Sequence, residues 1–225
     1  MNDIPETPET PEIVELNPWW GIWVQPRQTL RTILATNPKM DFWVLVAFYG
    51  LVRAVSWGVQ VGLGDYFSPS GVAGFILIIG PIAGVIGVYL TGALLGLVGR
   101  SMGGKAEPAH IRAVLAWAAL PMSVLTLLAL LPYMLMLGPL IFSAADPLVR
   151  QILLGQGLSS GFAGDGLSVW RTIFELTGTI YYSIIVVVGY SEAQKFPVVK
   201  SIGIFFIVLG GLLLMGLCFA LIGAL

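Results

Sequence analysis

Few residues in this sequence are placed to do chemistry, because ionisable groups are scarce inside its apolar runs. Arg53 sits near the middle of FWVLVAFYGLVRAVSWGVQVGL, the run from Phe42 to Leu63. Arg171 and Glu175 lie four apart in a later run, so on a helix they share a face and can pair. Asp41 and Glu192 stand at the edges of runs. A lone arginine deep in hydrocarbon costs about 2.5 to 3.5 kcal/mol on insertion scales, so Arg53 demands an acceptor. At ~1.5 Å of rise per residue, Arg53 lies ~16 Å from one membrane face, and Glu175, counted in from the other side, ~21 Å from that same face. The difference of ~5 Å is within the reach of an arginine that stretches along its own stem. Arg53, Glu175 and Arg171 are therefore a candidate intramembrane charge network. It either fastens the first span to the fourth or lines a polar pathway or pocket for an anionic headgroup or solute.

Other chemistry is excluded by composition. The single cysteine, Cys218, lies in the last apolar run, so no intramolecular disulfide and no cysteine-based metal site is available. The single histidine, His110, makes no metal cluster alone; beside Pro108 it reads as a solvated residue at a helix start, or else as a pH-responsive group. There is no pair of catalytic carboxylates, no nucleophile with its base, no HExxH and no nucleotide fingerprint. The sequence reads as a non-enzyme with no cofactor and no metal. A net charge of -1 gives no reason to expect nucleic acid.

The elements that carry these residues follow from hydropathy. Apolar residues make up 57% of the 225 and charged residues 10%, with a mean hydropathy of +0.90. Soluble domains carry about a quarter charged residues, so the fold class is all-α: a polytopic membrane bundle. Five apolar runs are long enough to span, at about 42–63, 72–98, 111–137, 168–190 and 198–224, within a membrane domain of residues 40–225. The second run is spaced by glycine, with Gly80/Gly84 and Gly92/Gly96 as GxxxG pairs that let helix backbones approach closely, more often within a chain than between copies. Pro81 inside it either kinks the helix or marks a junction of two half-helices. Between the third and fourth runs, PLVRQILL from Pro147 reads as a short surface helix and GQGLSSGFAGDG as turn-rich.

Before the first run, residues 17–39 have a different texture. Trp19, Trp20 and Trp23 are the residues that membrane–water interfaces select, and they serve as anchors. Pro26 suits a first helical turn. From Arg27 to Thr36, Leu30, Ile33 and Leu34 form a stripe while Arg27, Gln28 and Arg31 take the other face. This predicts a short amphipathic helix lying in the interface with Arg27 and Arg31 toward headgroups. Residues 1–16, built on PETPETPE, have no apolar face and read as a disordered acidic tail. The absence of a basic, apolar leader makes the first span its own targeting signal.

Basic residues set the orientation. Arg27, Arg31, Lys39, Arg100, Lys105, Arg112, Lys195 and Lys200 fall on one side, against Arg150 and Arg171 on the other. Eight against two places the N-terminus in the cytoplasm and the C-terminus outside.

Several features together resemble the Yip family of Ypt-interacting membrane proteins in its bacterial form. They are the W-x-x-P-x-x-T-L-R segment (Trp23, Pro26, Thr29, Leu30, Arg31), the loop Gly103-Gly104-Lys105 after the second span, Trp117 with Pro121 in the third, and Trp170-Arg171 opening the fourth. The resemblance covers about Trp19 to the C-terminus and implies five spans, a bacterial inner membrane and binding rather than catalysis. The DLYGP motif of eukaryotic members is absent, with Asp41-Phe42-Trp43 in its place, which speaks against GTPase binding. The function expected is a membrane-organising or partner-binding scaffold acting from its cytoplasmic face. The lipid bilayer is one partner, with other membrane proteins or a second copy as further ones. The alternative is a small transporter, channel or lipid-handling protein built on Arg53 and Glu175.

Overall fold

The computed structural model describes residues 17–146, 149 and 162–223. The expected acidic tail, the surface helix from Pro147 and the residues up to Gly161 lie outside them. All regular structure among the described residues is helical: α1 (Pro18–Val24), α2 (Pro26–Thr36), α3 (Phe42–Val61), α4 (Pro69–Ser101), α5 (Pro108–Leu137), α6 (Phe162–Gln194) and α7 (Val198–Gly223), with short 3-10 turns at Leu63–Asp65 and Gly138–Phe142. Four stretches, one each on α3 to α6, are long and apolar enough to cross a membrane, and α7 opens with an apolar run of its own. The chain is thus a polytopic membrane bundle. The stretch Phe162–Gly166, read as turn-rich, is instead the opening of α6.

Local sequence accounts for the helix ends. Asn17 caps α1 through its side chain at Trp19 N, and Ser68 caps α4 at Gly71 N. Pro18, Pro26, Pro69 and Pro108 each occupy a first turn, where a missing N–H costs nothing. The internal prolines do not end their helices: α4 runs through Pro81 and α5 through Pro121 and Pro132. Pro132 leaves the Leu128 carbonyl without its helical donor, and the Trp170 indole N–H of α6 supplies one at 3.0 Å.

α5 is the central helix, packed against α3, α4 and α6, with Trp117 and Tyr133 both at 0% exposure. α3 lies on α4 through glycine. A Cβ on Gly84 would meet Val46 O at 2.5 Å and Gly50 Cα at 2.8 Å, and one on Gly80 would meet Leu51 Cα at 3.0 Å. Gly92 and Gly96 face α5 instead, at Arg112 Cγ and Ile111 Cδ1. The outward side of α4 exposes Leu77, Ile78, Ile82, Ile86, Leu90 and Leu97. That is a liability in water and the expected lipid-facing surface in a bilayer.

The segment before α3 is two helices folded into the bundle. Gly21 of α1 sits against Thr29 of α2, so the two meet at their small residues. Ile22, Leu30 and Ile33 are essentially fully buried in the main core. Gly189 of α6 makes room for Leu30, whose Cδ1 a Cβ there would meet at 2.6 Å, and for Val114 of α5. The apolar stripe of α2 therefore rests on protein.

A cationic cleft at one end of the bundle

α2 presents Arg27 and Arg31 one helical turn apart, as their spacing dictates. Both reach Glu192, in the last turn of α6. Arg27 Nε lies 2.5 Å from Glu192 Oε1, while Arg31 grips both oxygens, Nε to Oε2 at 3.2 Å and Nη2 to Oε1 at 3.1 Å. The Glu192 side chain is 15% exposed, against 61% and 65% for the arginines, so most guanidinium donors still face water. α6 has 33 residues, more than the roughly 20 a bilayer needs, and Glu192 lies two residues from its C-terminal end, past the apolar run of 168–190. The hydrogen bond from Arg31 is the leading cause that holds the Glu192 carboxyl below its usual range, with burial opposing it and Arg27 adding to it. Glu192 in turn raises Arg31 above the ordinary guanidinium value.

The loop between α4 and α5 completes the site. Gly103 (φ 86°) and a bond from Gly104 N to Gly99 O end α4. Gln194, 2% exposed, then clamps the loop. Its Oε1 accepts from Ala106 N at 2.9 Å and its Nε2 donates to Tyr190 Oη at 3.2 Å, while Tyr190 donates to Leu95 O at 2.8 Å. Side chains at Gly99 or Gly104 would collide with Gln194, so Gly104 has a packing reason, whereas Gly103 has open space around it and is required by its positive φ. Lys200 Nζ donates to Met102 O at 2.7 Å and sits 3.9 Å from the Phe196 ring centre. Lys195 ends α6 with φ 56°, a place usually given to glycine.

These segments enclose an open cleft of about 660 Å³. Four cations line it, Arg27, Arg31, Lys105 and Lys195, together with His110 and two carboxylates, Glu107 and Glu192; Phe196 is among its apolar walls. With Glu192 already satisfied, the surplus donors suit an acidic side chain or another anionic group. Among the described residues no group of three or more His, Cys, Asp or Glu is placed to hold a metal.

The other sequence candidates are distributed as follows. Trp19 packs edge-on against Trp117 with centroids 5.8 Å apart and donates its indole N–H to Asp41 Oδ2 at 3.1 Å. Trp23 stacks on Tyr181, whose hydroxyl donates to the Trp23 carbonyl at 2.5 Å. Trp20 alone of the three is largely exposed, at 72%. The expected pairing of Arg53 with Glu175 does not form. Glu175 is held by Arg171 on its own helix at 2.8 Å, and Arg53 is exposed, with no ion pair among the described residues. Helical spacing joins Arg171 to Glu175 at no topological cost, whereas α5 packs against both α3 and α6. Sequence reasoning placed Glu192 only at an edge and passed over Gln194 and Tyr190. The signal for Glu192 was its position: a carboxylate at the basic end of the spans, opposite two arginines spaced to share it.

The model of the Yip1 domain family matches residues 20–221. No curated protein and no solved structure matches the chain.

Proposed function

The chain belongs to the Yip1 domain family, and from that premise we propose that this integral multi-pass membrane protein is a non-enzymatic scaffold. It organises membrane partners from its cytoplasmic face, through the cleft between α2, the α4–α5 loop and the end of α6. The observation that supports this reading is the cleft itself. Three segments far apart in sequence converge there, and four cations meet two carboxylates, one of which is already occupied. A surface with spare donors, a buried support and no nucleophile–base pair is suited to binding an acidic segment of another protein. The basic-residue asymmetry puts this end in the cytoplasm, with the C-terminus outside. The missing DLYGP motif turns the reading away from prenylated GTPases.

Lys105 and Lys195 test the reading, because neither makes an ion pair with Glu192. Full-length protein carrying Lys105→Glu and Lys195→Glu should fold as the wild type does and lose partners that the wild type retains when membranes are solubilised gently. Identical partner sets for the two proteins would sink the cleft as the binding surface. Flux of ions or lipids through liposomes holding the purified protein would sink the scaffold reading itself.

A further inference from the structure

A second basic site lies on the far side of the α5 N-terminus. His110 lines the cleft described above, and Arg112, about 200° further round the helix, points elsewhere. Arg112 lies over the Tyr89 ring of α4, with its guanidinium carbon 4.5 Å from the ring centre. Two grooves, of about 320 and 290 Å³, share this pair. Lys39 and Trp43 line the first, Gly92, Gly96 and Arg100 the second, and no carboxylate lines either. Lys39, Arg100 and Arg112 make no ion pair among the described residues. Three cations around one aromatic wall, without an acid to balance them, leave an anionic charge to be supplied from outside.

The surroundings identify the kind of anion. The site sits where α3 and α5 begin and α4 ends, at the same end of the bundle as α2. It opens sideways onto apolar surface, with Trp43 63% exposed, Leu90 51% and Leu97 70%. Phe42 packs edge-on against Tyr89 at 6.2 Å, holding the ring as a fixed wall. The small faces of Gly92 and Gly96 keep the groove open; a Cβ at Gly92 would meet Arg112 Cγ at 3.2 Å and crowd the stem that carries the charge. A free phosphate has use for the cations but none for the apolar strip below them. A phospholipid uses both.

We propose that Arg112, laid on Tyr89 and flanked by Lys39 and Arg100, is a headgroup site for an anionic phospholipid whose acyl chains lie along the exposed side of α4. Arg112 donates to the phosphate oxygens, and Lys39 and Arg100 balance the remaining charge from either side. Cation–π contact with Tyr89 keeps the guanidinium in place when the site is empty.

Native mass spectrometry of the full chain, with phosphatidylglycerol or phosphatidylcholine added in detergent, tests this. Phosphatidylglycerol should be retained in preference to phosphatidylcholine, with inorganic phosphate failing to displace it. Each of Arg112→Gln, Lys39→Gln and Arg100→Gln should weaken retention about fivefold, the factor that corresponds to ~1 kcal/mol per cation near a lipid surface. Arg112→Lys should recover part of the loss, and Tyr89→Phe, which keeps the ring, should retain lipid as the wild type does. Lys39 and Arg100 are exposed, so their variants report on binding even if Arg112→Gln proves unstable. Equal retention by the wild type and the triple glutamine variant would overturn the site. Equal retention of the two lipids, or displacement by inorganic phosphate, would overturn a lipid as its occupant.

Discussion

Alanine at Gly50 is the sharpest probe of the packing on which this bundle depends. A Cβ there would lie 2.8 Å from Gly80 C and 2.9 Å from Gly84 Cα, closer than real Cβ atoms come. Both neighbours are backbone, so no side chain can swing aside and α3 must lift from α4. Two effects compete. Replacing glycine in a helix gains about 1 kcal/mol of propensity. Overpacking a tight contact costs about 1 to 3 kcal/mol, and the separation also loses dispersion contacts along the seam. The cost wins, and the expected net loss is about 1 to 2 kcal/mol, a fall in Tm of several degrees at ~2–4 °C per kcal/mol for a chain of this size. Gly84→Ala should behave alike, because its Cβ would meet Val46 O at 2.5 Å. Gly87→Ala is the control: nothing lies within 4 Å, so only the propensity gain remains. Thermal unfolding in detergent, followed by near-UV circular dichroism, measures all three. The double variant Gly50→Ala/Gly84→Ala should lose less than the sum of the singles, since one separation relieves both clashes. If Gly50→Ala and Gly87→Ala unfold at the same temperature, the seam does not limit stability and this reasoning fails.

Glu192→Gln should loosen α2 from the bundle. The Glu192 carboxyl is held low in the folded state, so its stabilisation is fully present above the ordinary carboxylate range, at pH 7, and is lost as pH falls through the lowered value. Protection of the α2 amides, their exchange measured relative to the unfolded chain at the same pH, should therefore fall in acid for the wild type, and the variant should already show low protection at pH 7 with little further change. Gln194→Leu leaves the buried Ala106 N–H without its acceptor, a loss of about 1 to 3 kcal/mol; the α4–α5 loop should become the first protease-sensitive site. Reporter fusions after Gly104 and after Lys195 should read cytoplasmic, fusions within 155–166 external, and a cytoplasmic C-terminus would refute the proposed orientation.

Much of the architecture was legible one residue at a time, because a bilayer demands long apolar helices whatever their neighbours do. Hydropathy alone places helices at about 42–63 and 111–137, close to the observed Phe42–Val61 and Pro108–Leu137, and Pro26 marks where α2 begins. The layout of Trp23-x-x-Pro26-x-x-Thr29-Leu30-Arg31, the glycine loop and Trp170-Arg171 was enough to point to the family. Partner choice is a different matter. Arg53 asked for an acid, and depth along the helix axis made Glu175 look suitable, but depth says nothing about which helices are neighbours or which way a face turns. The four-residue spacing already offered Glu175 to Arg171, and only the packing left Arg53 without it and gave Glu192 to Arg27 and Arg31. The stripe of Leu30 and Ile33 is equally suited to lipid or to protein, and Gly189 decided for protein by letting Leu30 reach α6. Gln194 was invisible because a glutamine near a helix end carries no pattern; its role exists only where Ala106 and Tyr190 come within hydrogen-bonding distance. Span-forming apolarity is a property of each segment, and pairing is a property of the space between segments, which folding alone creates.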